Sequence, residues 1–137
     1  MNQSYNRQYQ PPIPVLSVRL YSPISEQFTE PIEALVDTGS DATLVPLAHL
    51  LTIAAEETSP GWLISITGQR KAVSLYFADI YVGSSALAGI RVIGEPDTDE
   101  LILGRDVLNK LPLFLDGPNS TLTVLDDRST ARLRRGS

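Results

Sequence analysis

The chain has 137 residues, 42% of them hydrophobic and 20% charged, which suits one soluble globular domain with a core of useful size. It holds no cysteine and a single histidine, His49, so disulfide frameworks, thiol nucleophiles and cysteine- or histidine-built metal sites have no basis, and no metal or cofactor is expected. The net charge of −5 is unevenly spread: residues 1–127 carry seven basic and sixteen acidic residues, a net of −9, while Arg128, Arg132, Arg134 and Arg135 crowd the last ten positions. An acidic body does not track a phosphate backbone, so no nucleic-acid partner is expected, and the short basic tail reads as solvated.

The first ten residues, MNQSYNRQYQ, lack the apolar stretch of a leader, and the most apolar run, 44–55, is too short to span a bilayer and contains His49. A cytoplasmic protein with no membrane contact is expected. Residues 1–14 read as a flexible polar arm ending in Pro11-Pro12-Ile13-Pro14, and 128–137 as a flexible basic tail. The folded body is then 15–127.

Inside it the dominant period is two, the period of strands. In 15–21, Leu16, Val18 and Leu20 share one face while Ser17 and Arg19 share the other. Strands follow at 32–36, 62–66, 72–82 and 90–93, with Thr67-Gly68-Gln69-Arg70 as a hairpin turn. Residues 47–56 suit one short helix. Leu101-Ile102-Leu103 is a buried-type strand stopped by Gly104, and 105–111 suits a second short helix ended by Pro112. Strands 113–115 and 121–125 flank the turn Asp116-Gly117-Pro118-Asn119. Many short strands with one or two short helices describe an all-β, closed and barrel-like fold.

The chemistry concentrates in Ala34-Leu35-Val36-Asp37-Thr38-Gly39-Ser40. An apolar strand here delivers one carboxylate to a turn. Gly39 permits tight backbone geometry, and Thr38 and Ser40 supply hydroxyls that can fix a carboxylate. Two carboxylates about 3 Å apart cannot both ionise; they share a proton, one acting as base on a water and the other as hydrogen-bond donor to a carbonyl. The chain contains one Asp-Thr-Gly, so a second carboxylate must come from a second copy across a two-fold axis.

This segment resembles the active-site motif of the retroviral-type aspartic proteases, the retropepsins. A second segment agrees: Ile102-Leu103-Gly104-Arg105-Asp106-Val107-Leu108 is similar to the family's apolar-apolar-Gly-Arg-Asp/Asn-apolar-apolar stretch, with a flap-like hairpin between the two. The resemblance covers residues 15–127. It implies a closed barrel with one half-site per chain and a homodimeric endopeptidase that cuts extended polypeptide between apolar residues. Asp37 would be catalytic. Thr38 would lock the two active-site loops across the dimer, Gly39 would bind substrate backbone, and Ser40 would support the outer oxygen of Asp37. Asp41 would hold substrate near the edge of the site and pair with Arg105. Ile66, Thr67 and Gly68 would form the flap tip, and Ile102 would line a side-chain pocket. Asp99 and Glu100, just before the pocket strand, would disfavour acidic substrates.

The hairpin departs from the family pattern, with one glycine flanked by Arg70 and Lys71. That departure sustains an alternative, a non-catalytic dimerisation or peptide-binding module with the same fold. Glu95, Asp97, Asp99 and Glu100 lack the order of a calcium loop and read as solvated acids. His49 reads as a helix-surface or core residue.

Overall fold

The computed structural model describes residues 1–136. The alternation of Leu16, Val18 and Leu20 produces β2 (Val15–Ser22), whose inward side chains are fully buried. Each such leucine contributes about 1.5–3 kcal/mol by leaving water. Antiparallel to β2 lies β4 (Ile32–Val36), with Val15 opposite Leu35 and Val18 opposite Ile32. A two-residue strand, β3 (Gln27–Phe28), pairs with the far end of β2.

Beyond β4 the sheet continues through β9 (Leu101–Leu103), β5 (Leu44–Pro46), β8 (Ser85–Glu95) and β7 (Arg70–Val82). Pairing of β7 back onto β2, with Arg19 opposite Tyr81, closes these six strands into a barrel. Its interior is filled by Leu16, Leu20, Val45, Ile80, Val92, Leu101 and Leu103, all essentially without solvent exposure. β6 (Gly61–Ile64) pairs with the start of β7 and extends the sheet as a hairpin.

The expected helix at 47–56 is α1, confined to Leu47–Thr52. It stops early because Ala54 turns into the left-handed region at φ 49, where its N–H and that of Ala55 close onto the carbonyls of Leu51 and Leu50. Residues 44–46, read from sequence as part of the same apolar run, are instead a strand that bridges β8 and β9. The second expected helix, α2, is a single turn at Arg105–Leu108. The strand expected at 90–93 is the inner part of the longer β8.

Both chain ends carry more order than their composition implied. Asn2–Ser4 forms β1, antiparallel to β11 (Thr121–Val124), which in turn pairs with β10 (Leu113–Asp116). The polar arm becomes a strand because β11 offers it an open edge: Val124 N–H donates to the Met1 carbonyl at 2.8 Å, and the Asn2 amide donates to the Thr123 hydroxyl at 2.9 Å. Asp127–Arg135 forms α3, started by the Asp126 side chain, which accepts from the Ser129 N–H at 2.7 Å; no residue of this helix is buried. Among the described residues, no helix is long and apolar enough to cross a membrane.

Candidate active site

The two sequence segments meet because their strands are parallel neighbours. Ala34, Leu35 and Val36 of β4 sit opposite Leu101, Ile102 and Leu103 of β9. Each strand then leaves the barrel at the same end, β4 into Asp37 and β9 into Gly104. The Asp37 N–H donates to the Leu103 carbonyl at 3.1 Å, fixing the carboxylate-bearing residue to the sheet. The turn closes with Ser40 N–H on the Asp37 carbonyl, and the Gly39 N–H donates to Asp37 Oδ1 at 2.9 Å. Asp37, Thr38 and Gly39 are exposed. Among the described residues the Gly39 N–H is the one hydrogen-bond partner of the Asp37 carboxylate, and no second carboxylate bonds to it.

The start of α2 clamps this loop from below. Gly104 approaches so closely that a Cβ there would lie 2.4 Å from the Ala42 carbonyl oxygen, so only glycine fits. The Arg105 N–H donates to the Ser40 carbonyl at 2.8 Å. Thr43, fully buried, gives its N–H and its hydroxyl to the two oxygens of Asp106 at 3.1 and 2.7 Å, and its hydroxyl oxygen accepts from the Gly104 N–H at 3.1 Å. Thr43 and Asp106 were not singled out in the sequence; the signal present was the carboxylate directly after Gly104-Arg105.

Several expected contacts are different. Arg105 does not pair with Asp41: its guanidinium donates to the Thr38 carbonyl at 2.7 Å, and among the described residues the ion pair observed is Lys71 with Glu95. The physical reason is position, since the exposed Arg105 side chain at the α2 start reaches back over the loop backbone. Ser40 does not support Asp37; its hydroxyl donates to the Ala42 carbonyl at 2.6 Å and stiffens the loop instead. The Thr38 hydroxyl has no hydrogen-bond partner among the described residues and faces solvent.

Over the loop stands the β6–β7 hairpin. Gly68 takes φ 84, its N–H donates to the Ser65 carbonyl, and Ser65 N–H donates to the Gln69 carbonyl at 2.9 Å. The hydroxyls of Ser65 and Thr67 lie 2.9 Å apart, which ties Thr67 into the turn. Ile66 is wholly exposed at the tip. A cleft of about 500 Å³ runs between loop and hairpin, lined by Asp37, Gly39, Ser40, Asp41 and Leu44 below and by Leu63, Ile64, Ser65, Ile66, Gln69, Arg70 and Lys71 above.

Ile102 is not among the lining residues; it is half-buried in β9, opposite both Leu35 and Leu44, and the apolar floor position is Leu44. Thr67 and Gly68 also lie outside the lining. Asp99 and Glu100 are elsewhere, in a groove with Asn6, Tyr9 and Glu33, where Glu100 accepts from the Tyr9 hydroxyl at 2.9 Å and raises its pKa. The expected bias against acidic substrates therefore loses its structural basis. Among the described residues no three His, Asp or Glu side chains group as a metal site.

A closed all-β barrel that ends one strand in a clamped carboxylate, opening into a hairpin-covered cleft, defines the retropepsin-like class. The retroviral aspartyl protease family model matches residues 10–116, and the chain belongs to that family. Its fold is similar to a retropepsin-like aspartic protease from Rickettsia conorii, with a TM-score of 0.60 at 13% identity over 90% of this chain and 88% of that one. It is also similar to the retroviral protease-like domain of Ddi1 from Leishmania major, with a TM-score of 0.50 at 15% identity over 82% and 89% of the two chains. The simian foamy virus protease aligns at 24% identity over 72% of this chain and 99% of that one, with a TM-score of 0.49. No curated protein matches the chain.

Proposed function

We propose that two copies of this chain form an aspartic endopeptidase that hydrolyses extended polypeptide between apolar residues. The observation that carries the reading is the single Asp37 carboxylate, held from behind by the Gly39 N–H and open in front to a cleft beneath the hairpin. One carboxylate cannot both take and hold a proton in this chemistry. Its symmetric copy supplies the second.

In the dimer the ionised Asp37 takes a proton from a water while the protonated copy hydrogen-bonds the scissile carbonyl. The water oxygen adds to the carbonyl carbon as the protonated copy passes its proton to the carbonyl oxygen, giving a tetrahedral diol. The proton taken from the water then passes to the amide nitrogen, the C–N bond breaks, a diol hydroxyl returns one proton to the other carboxylate, and a carboxylic acid and an amine leave with the dyad again sharing one proton. Thr38, whose hydroxyl is exposed beside Asp37, is suited to lock the paired loops. Gly39 and Asp41 line the cleft where substrate backbone would run, and Leu44, Leu63, Ile64 and Ile66 give it apolar walls.

The test is digestion of an unstructured polypeptide by the purified protein and by Asp37→Asn. Cleavage between apolar residues that is lost in the variant supports the reading. A demonstrably dimeric protein that binds peptide at every pH but cuts none would instead be a peptide-binding module.

A further inference from the structure

The charges around the cleft are sorted by wall. Asp37 and Asp41 lie on the loop side, whereas Arg70 and Lys71 lie on the hairpin side. Within the hairpin, Leu63 is opposite Lys71 and Ile64 opposite Arg70, so Lys71 reaches the cleft from the Leu63 face and Arg70 from the opposite face, at the hairpin rim. Each is held. The Lys71 ammonium lies 3.1 and 3.2 Å from the two oxygens of Glu95, whose side chain is 9% exposed, while that of Lys71 is 54% exposed. The Arg70 guanidinium stacks 4.8 Å from the centre of the Trp62 ring.

An ammonium has three donors. The two Glu95 oxygens can take two of them, which leaves a third for another acceptor. Of the two partners only Lys71 lines the cleft; Glu95 sits in the adjoining hollow that Lys71 also borders. Arg70 adds a second cation, and the hairpin residues that line the cleft include no anion to offset it.

We infer that Lys71, with Arg70 beside it, is a specificity-determining residue that favours an acidic side chain in the peptide substrate, at a position set back from the scissile bond. This deepens the endopeptidase reading and rests on it. The position is set back because a carboxylate at the bond itself would face the Asp37 anion across the cleft. An extended peptide turns alternate side chains toward the hairpin, so one position on that side meets the ammonium.

The experiment uses matched peptides with an apolar pair at the cut and Glu, Gln or Lys at each flanking position in turn. At one position, Glu is expected to raise kcat/KM over Gln by about fivefold, mostly through KM, and the ratio should shrink toward one in about 0.5 M salt. Lys71→Met and Arg70→Met should each lower the ratio, and Lys71→Arg should keep it. The same Glu-to-Gln ratio is read without catalysis, as peptide affinity for Asp37→Asn by fluorescence anisotropy. Should no peptide be cut, the endopeptidase reading fails while the affinity ratio still decides this one. A ratio of one or below at every position, a ratio insensitive to salt, or a ratio unchanged in folded Lys71→Met overturns the inference.

Discussion

Asp106 anchors the active-site loop through Thr43, and its removal gives a number to test. In Asp106→Ala, the buried Thr43 loses the acceptors of its N–H and of its hydroxyl, at present 3.1 and 2.7 Å away. Hydrogen bonds to a charged acceptor contribute about 1.5–3 kcal/mol each, and a buried donor left unpaired costs about 1–3 kcal/mol. Asp106 is only half-buried, so water entering its place offsets part of the loss. The net expectation is about 2–4 kcal/mol. Urea unfolding followed by far-ultraviolet circular dichroism at one fixed protein concentration would measure it, as a fall in midpoint at unchanged slope. The double cycle is sharper. Once Asp106 is gone, Thr43→Val removes a hydroxyl whose acceptor is already lost, so it should cost less in the Asp106→Ala background than in the parent, the bond from the Gly104 N–H being lost in both. A loss under about 0.5 kcal/mol for Asp106→Ala, or additive single effects, would refute the clamp.

Gly104→Ala would drive a methyl into the Ala42 backbone and should cost about 3 kcal/mol or more; a melting temperature equal to the parent's would mean the loop moves aside freely. If each copy holds half a site, specific activity should fall on dilution, and each body's net of −9 implies that moderate salt aids assembly; constant specific activity far below micromolar would argue against an exchanging dimer. Hydrogen bonds from Ser129 hold the Asp126 carboxyl below its ordinary pKa, so the cap it gives α3 is present above that ordinary range and is lost as pH falls through the lowered value. Amide shifts of residues 127–135 should report α3 melting in acid, and Asp126→Asn, which caps without titrating, should abolish that pH dependence; an identical acid transition in the variant would assign it elsewhere.

Part of this molecule is legible residue by residue. The two-residue period of Leu16, Val18 and Leu20 places a strand and its buried face, because a pleated backbone leaves no other use for that spacing. The apolar run ending in Asp37-Thr38-Gly39, and the left-handed Gly68 between two strand patterns, are likewise local facts, set by backbone sterics within a few residues. Partner choice is not local. Whether Arg105 meets Asp41 or the Thr38 carbonyl, and whether Ser40 turns to Asp37 or to Ala42, depends on how β4 and β9 exit the barrel side by side and on how near Gly104 lets α2 approach. The same holds for Asn2–Ser4, polar residues with no strand pattern of their own, which become β1 because β11 presents an unpaired edge, with Thr123 lying 121 residues after Asn2 in the chain. The cleft's sorted charges are also tertiary. Asp99 and Glu100 precede the β9 strand in sequence yet face Tyr9, while Lys71 and Glu95, 24 residues apart, face each other, because β7 and β8 are antiparallel neighbours. Hydrogen bonds and ion pairs act over a few ångströms of space, and only the closed barrel decides which residues share that space.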